Sequence, residues 1–196
     1  GETVRRRPHR LPAYAPARTG DILALGTVYN ALLVDGDERS LITNLFSGAG
    51  NDTITGNAAG NNIRAGAGND KAAGGAGADT IAGGAGNDTL AGDAGNDRLD
   101  GGTGMDMLAG GGGKDVFAYA VGYGADTIVD FLHADGDAID FTAMAGLRSV
   151  GDLLARGLQV LADAVFDFGN GDSLTLKNVQ MGSLGAGDFM LAPAEP

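Results

Sequence analysis

Seven aspartates (Asp52, Asp70, Asp79, Asp88, Asp97, Asp106 and Asp115) stand nine or eighteen residues apart, and Asn61 fills the one gap in the series. Asp is the shorter carboxylate, favoured in turns and in oxygen-ligand loops. A row of them at one spacing points to binding of a hard cation. All-oxygen ligation at flexible geometry suits calcium better than magnesium, which demands a tight octahedron. Zinc is disfavoured, because the chain has no Cys and its only imidazoles are His9 and His133. The carboxylate pair of a hydrolase cannot be singled out in so uniform a series. Neither H-E-x-x-H nor G-x-S-x-G occurs, matches to G-x-G-x-x-G are uninformative in so Gly-rich a chain, and no catalytic constellation emerges.

A repeat positions these residues. Residues 47–118 are eight consecutive nine-residue units: SGAGNDTIT, GNAAGNNIR, AGAGNDKAA, GGAGADTIA, GGAGNDTLA, GDAGNDRLD, GGTGMDMLA and GGGGKDVFA. Their consensus is Gly-Gly-x-Gly-x-Asp-x-U-x, with U large and apolar. Gly tolerates positive φ, so the Gly-rich half of each unit is expected to turn and the x-U-x half to form a very short strand. Two units then close one coil of 18 residues, and coils stack as parallel strands roughly 4.8 Å apart. The U side chains point inward: Ile54, Ile63, Ile81, Leu90, Leu99, Leu108 and Phe117, with Ala72 the weak member. Two large apolar side chains per coil fall far short of the backbone entropy lost on ordering it, so a further source of stability is required.

Alternate units share an edge. One edge carries Asp52, Asp70, Asp88 and Asp106; the other carries Asn61, Asp79, Asp97 and Asp115. A cation between stacked turns would receive a carboxylate from each, plus carbonyls that the glycines leave unobstructed. The stacks 52/70, 70/88, 88/106, 79/97 and 97/115 give five sites. The 61/79 stack is a weaker sixth, because Asn61 lacks the charge and Ala59 replaces a turn Gly.

Over residues 47–118 the pattern resembles the RTX (repeat-in-toxin, haemolysin-type) calcium-binding family. The resemblance implies an all-β fold, a right-handed parallel β-roll (β-solenoid) with calcium, five to six ions here, between its turns. It also implies a ligand set. This joins the seven aspartates and Asn61 to Gly48, Gly50, Gly66, Gly68, Gly75, Gly77, Gly84, Gly86, Gly95, Gly102, Gly104, Gly111 and Gly113. Gly74, Gly83, Gly101 and Gly110 take the family's first-glycine place. The departures are Ser47 and Ala65 for the first Gly, Asn57 and Asp93 for the second, and the degenerate second unit. After Ala118 the period slips by two residues. Gly122–Ile128 then restores one more turn and strand, which makes Asp126 a cap on the stack.

Composition narrows the partners. Thirteen Lys and Arg oppose 25 Asp and Glu for a net charge of -12, and 22 of the acids are Asp. Five Arg (Arg5, Arg6, Arg7, Arg10 and Arg18) precede residue 20, which leaves the remainder still more acidic. Such a surface repels nucleic acid and anionic membranes and attracts cations. No apolar run approaches the roughly 20 residues of a membrane span. The Arg- and Pro-rich start has no apolar segment of the kind a secretory signal needs, and a beginning at Gly1 fits a trimmed fragment.

Residues 1–20 read as a linker and 21–46 as irregular leading coils, with short strands at Ile22–Val34 and Leu41–Phe46 around an Asp35–Asp37 turn. Residues 119–196 form a flanking region. Strands are expected at 126–131, 137–141, 164–168 and 173–179, with a hairpin turn at 169–172. Ser149–Ala162 is expected to be an amphipathic helix capped by Ser149 with Asp152, its Leu153, Leu154, Leu158 and Leu161 facing the core. A short helical turn starts at Ser183. His133–Asp140 puts Asp135, Asp137 and Asp140 in one loop. Of an extra calcium site and a plain Asp-Gly turn, the turn is the preferred reading, since the loop lacks EF-hand spacing and its closing Glu. By resemblance, such a flank caps the roll, seeds its calcium-dependent folding and carries an uncleaved signal for a type I (ABC) exporter of a Gram-negative bacterium.

The expected function is a non-enzymatic calcium-responsive module that is exported unfolded and folds outside the cell. Two alternatives stand beside it. One is the tail of a secreted protease, lipase or polysaccharide-modifying enzyme whose catalytic domain lies upstream. The other is a module for polysaccharide binding, adhesion or S-layer-like self-association.

Overall fold

The computed structural model describes residues 21–23, 43–144, 146–147 and 149–193. The linker reading of 1–20, the turn at 35–37 and most of the leading strands lie outside the described residues. Two eight-stranded sheets face each other. In chain order the strands are β1 (Asp21–Leu23), β2 (Asn44–Phe46), β3 (Thr53–Asn57), β4 (Asn62–Ala67), β5 (Lys71–Ala76), β6 (Thr80–Ala85), β7 (Thr89–Ala94) and β8 (Arg98–Thr103). They continue as β9 (Met107–Ala109), β10 (Val116–Ala118), β11 (Ala125–Ile128), β12 (Ala138–Asp140), β13 (Gly157–Val160), β14 (Asp163–Gly169), β15 (Asp172–Leu176) and β16 (Phe189–Met190). The first sheet runs β1-β2-β4-β6-β8-β10-β12-β16 and the second β13-β14-β15-β11-β9-β7-β5-β3. From β2 to β12, successive strands therefore enter alternate sheets, as one-unit-per-side coiling requires. The fold is a parallel β-roll.

Register places the apolar residue of each unit directly over that of the next coil. One column runs Leu45, Ile63, Ile81, Leu99, Phe117, Ile139 and Phe189. The facing column runs Ile54, Ala72, Leu90, Leu108, Ile128 and Leu176. All of them are buried. The columns, and the parallel pairing with them, continue past Ala118 through β11, β12 and β16 into the flank.

Pairing extends further than the short x-U-x strands expected. In β4 to β8 it spans six residues, from position seven of one unit to position three of the next. The first Gly of a unit therefore sits in a strand and is not a turn residue; the turn is confined to the following Gly-x-Asp. That first Gly is needed for space. A Cβ at Gly83 would overlap the Asp88 carboxylate of its own unit and the Gly101 carbonyl, and Gly74, Gly92, Gly101 and Gly110 stand in the same relation to Asp79, Asp97, Asp106 and Asp115.

The flank departs from the sequence reading at one element. The helix expected over Ser149–Ala162 is only α1, Val150–Leu154, after which the chain turns into β13. Ser149 does cap it, its Oγ accepting the Asp152 N–H at 3.1 Å. The reason for the early end is the poor helix former Gly157 together with a competing partner: β13, which starts there, pairs antiparallel with β14. Leu153 is buried, but Leu158 and Leu161 are 63% and 95% exposed rather than core. The β14–β15 hairpin forms as expected, with Asn170 and Gly171 at positive φ (56° and 97°) in its turn. Two 3-10 turns, Met181–Ser183 and Ala186–Asp188, occupy the place of the helical turn expected from Ser183. Tyr119, Phe141, Phe166, Phe168 and Phe189 stack in pairs 5.3–6.2 Å apart and fill this end of the roll with more apolar volume than any repeat coil holds.

Candidate metal centre

The turns stack so that each ladder Asp touches the one before it. On the first edge Asp52 N–H donates to Asp70 Oδ1 (2.7 Å), Asp70 N–H to Asp88 Oδ1 (2.8 Å), and Asp88 N–H to Asp106 Oδ1 (2.8 Å). The series continues from Asp106 N–H to Asp126 Oδ1 at 3.0 Å, so Asp126 is one more rung. On the second edge Asn61 N–H donates to Asp79 Oδ1 (2.6 Å), Asp79 to Asp97 (2.8 Å), Asp97 to Asp115 (2.9 Å) and Asp115 to Asp137 (3.0 Å).

One oxygen of each rung is thus held by backbone. The other is not. Oδ2 of Asp70, Asp79, Asp88, Asp97, Asp106, Asp115 and Asp126 is buried with no hydrogen-bond partner. These side chains are at most 2% exposed. A buried carboxylate oxygen without a partner is costly and calls for a cation or a proton. Burial accordingly pushes the Asp70, Asp79, Asp97 and Asp106 carboxyls above their ordinary range, against the lowering effect of the N–H each accepts. It pushes Asp88 and Asp115 up to about 6 and Asp126 to about 7, neighbouring carboxylates adding to the rise.

The donor set fits calcium: carboxylate oxygen, no thiolate, and no imidazole on either ladder. No group of three or more His, Cys, Asp or Glu converges among the described residues. Side chains alone therefore do not complete a coordination sphere, and carbonyls must supply the remaining oxygens. The second and fourth glycines of each unit bring carbonyls close. Gly84 and Gly86, at φ +114° and +126°, leave no room for a Cβ against the Gly66 and Gly68 carbonyls of the coil before. Positive φ recurs at Gly50, Gly66, Gly68, Gly75, Gly77, Gly95, Gly102, Gly104, Gly111 and Gly113, and Asp93 (φ 73°) adopts it without being Gly. Gly48 offers its carbonyl to the Ala67 N–H at 2.9 Å.

A family model for the RTX calcium-binding nonapeptide repeat matches four times, at residues 43–72, 55–90, 73–108 and 83–117. Residues 43–117 are RTX repeats. They make a calcium-binding repeat module. No curated protein sequence matches the chain. Among solved structures, the extracellular lipase LipA from Serratia marcescens is similar at 20% identity over 76% of this chain and 40% of the lipase, with a TM-score of 0.43. The AlgE6R2 and AlgE6R3 subunits of the Azotobacter vinelandii mannuronan C5-epimerase are similar at 22% and 25% identity. They match 73% and 72% of this chain and 94% and 78% of their own, with TM-scores of 0.44 and 0.47. The chain spans well under half of the lipase.

The RTX roll uses residues that spacing alone did not single out. Asp137, which lies in the loop read above as a plain turn, is the last rung of the second ladder; it follows Asp115 by 22 residues, and only its place directly before the short strand β12, centred on Ile139, could have shown it. Ser47, a departure from the first Gly, donates its hydroxyl to Asp52 Oδ2. Position five carries a ladder of its own: Asn51 Oδ1 accepts the Asn69 N–H (2.8 Å), Asn69 that of Asn87 (2.9 Å) and Asn87 that of Met105 (2.9 Å). Off the ladders, Asp100 Oδ1 is also buried without a partner, beside a cavity of about 110 Å³ lined by Arg98, Tyr119, Tyr123 and Asp140.

Proposed function

We propose that this chain is a folding switch operated by calcium: its RTX roll is unfolded where calcium is scarce and folds where calcium reaches the roughly 10⁻⁴–10⁻³ M of extracellular sites. The observation that carries this reading is the set of unpartnered Oδ2 atoms packed along a thin apolar core. Without a cation, the folded roll places like charges one above another in a buried row. With one, the same carboxylates and the stacked glycine carbonyls become ligands. Since the sites do not exist in the unfolded chain, binding free energy becomes folding free energy.

The rest of the reading follows from that switch. The unfolded chain is a substrate for a type I (ABC) exporter of a Gram-negative cell, and folding outside opposes its return. The chain has no Cys whose oxidation the journey would require. Among the described residues no helix is long and apolar enough to cross a membrane. The roll acts as a binding and folding module, and any catalysis by the whole protein resides in an upstream domain. Circular dichroism of the chain in calcium and in excess chelator tests the switch. A gain of β signal on adding calcium is expected; a spectrum that stays folded in chelator would sink the proposal.

A further inference from the structure

The two ladders end differently, and the ends bear on how many cations the roll takes. At the start of the first ladder, Asp52 Oδ2 accepts the Ser47 hydroxyl. At the end of the second, Asp137 accepts Asp115 N–H on Oδ1 (3.0 Å) and Leu132 N–H on Oδ2 (2.8 Å). In both, a protein donor stands where the inner rungs have none. Asp126 has no such closure. It is 2% exposed, its Oδ1 accepts Asp106 N–H, and its Oδ2 is without a partner.

In each stack but 115/137, the Asp of the later coil accepts the N–H of the coil before on Oδ1 and leaves its own Oδ2 without a partner. That Oδ2 is counted with the stack its Oδ1 closes. Asp70 marks 52/70, Asp88 marks 70/88 and Asp106 marks 88/106; Asp79 marks 61/79, Asp97 marks 79/97 and Asp115 marks 97/115. By the same rule Asp126 marks a stack with Asp106, and 115/137 carries no mark. We propose that each such oxygen denotes one cation, so that the roll holds seven: four on the first edge, the last between Asp106 and Asp126, and three on the second edge, which Leu132 N–H closes at Asp137. The inference rests on the calcium reading above and refines it. It puts a site outside the nonapeptide consensus and denies one to Asp137, although both residues continue a ladder. It also gives the 61/79 stack a full ion, because the oxygen it needs comes from Asp79 rather than from Asn61.

Equilibrium dialysis of the full chain, with bound calcium counted by mass spectrometry, should give seven ions. Asp126→Asn should give six and Asp137→Asn seven. A wild-type count of six or fewer that Asp126→Asn leaves unchanged overturns the inference while leaving the folding switch intact; no bound calcium overturns both. Loss of an ion in Asp137→Asn also overturns it.

A second readout holds if Asp126→Asn does not fold. The chain has no Trp, the Tyr119 hydroxyl donates to the Gly124 carbonyl (2.6 Å) two residues from Asp126, and the Tyr123 ring lies 5.9 Å from that of Tyr119. Terbium in the Asp106/Asp126 stack should therefore be sensitised by these rings. Tyr119→Phe with Tyr123→Phe should remove most of the tyrosine-excited terbium emission at unchanged terbium stoichiometry. Undiminished emission would overturn the placement.

Discussion

Asp88 in the roll takes one backbone N–H on Oδ1 and leaves Oδ2 buried without a partner. Asp172 in the flank accepts Gly122 N–H on one oxygen (2.8 Å) and Gly124 N–H on the other (3.1 Å). The contrast is general. Asp130 holds the N–H groups of Gly110 and Gly111, Asp163 holds Lys177 and the Asn178 N–H, and Asp188 holds the Gly185 N–H and the His133 ring. Apart from Asp126, which continues the first ladder, these flank carboxylates find their donors within the protein. Those of the roll find half, and the missing half is what a cation supplies. The same residue type thus fastens one region permanently and makes the other conditional. Apolar packing follows the same division, since each repeat coil buries about two large side chains while the flank gathers an aromatic cluster.

The largest expected effect is the removal of calcium. Hydrogen exchange on the chelated chain should show the amides of β5 to β8 exchanging at unprotected rates while the β14–β15 hairpin stays protected. Equal loss, or equal retention, would erase the distinction. Next comes a pair of glycine substitutions. Gly83→Ala forces a Cβ against the Asp88 carboxylate and the Gly101 carbonyl, and should cost about 1–3 kcal/mol of calcium-bound stability, as overpacking does. Gly187→Ala in the flank meets nothing within 4 Å and should change little. Thermal melts of both variants in calcium make the comparison. Asp88→Asn and Asp172→Ala separate the two uses of the carboxylate. The first should lower ion count and calcium-dependent stability, and by more than replacing Asn61. The second should leave ion count alone and cost about 1–3 kcal/mol with or without calcium, as stranded buried N–H groups do. Denaturant titrations with and without chelator resolve these two cases.

Much of this was legible because the period is rigid. Eighteen residues per coil fix which side chains stack, so the column from Ile63 to Phe117, the column from Ile54 to Leu108, and the rungs Asp52 to Asp106 and Asn61 to Asp115 follow from spacing alone. Where the spacing changes, the reading fails. Asp126 was reachable through a two-residue slip, because its Gly-x-Gly-x-Asp context survives approximately in Gly122–Asp126. Asp137 lies beyond a four-residue insertion with no such context, and its role comes from β12 pairing with β10. The purpose of the first Gly was hidden for another reason. Positive φ is the usual demand on Gly, but Gly83 is constrained by the carboxylate folded back over it, a contact that exists only in three dimensions. The overlong helix at Ser149 shows local pattern losing to tertiary pairing. Four leucines at helical spacing suggested a core face, yet strand pairing with β14 claimed Leu158 and the turn that follows β13 took Leu161.

Acidity gives the smallest and most discriminating effect, because it acts with opposite sign in the two regions. In the cation-free roll, burial raises the Asp88 and Asp115 carboxyls to about 6 and Asp126 to about 7, above the ordinary value of 3.8. The folded state then binds protons that the unfolded chain has released. Stability from these groups is fully present below the ordinary value and is lost as pH rises through about 6 to 7. In the flank, burial would raise Asp140, but donors from Thr142 and Arg98 outweigh it and lower its pKa, as the Lys177 contact does for Asp163. Their contributions are present above the ordinary carboxylate value and are lost only as pH falls below it. In chelator, where the roll is unfolded at pH 8, acidification to pH 5 should therefore shift it towards the folded state, read as a gain of β signal in circular dichroism, while hydrogen-exchange protection of the β14–β15 hairpin stays constant. In calcium, the same acidification should weaken the roll instead, since protons and cations compete for the same Oδ2 atoms. A chelated roll that shows no more β signal at pH 5 than at pH 8 would mean that the ladder carboxylates are not the groups that hold it unfolded.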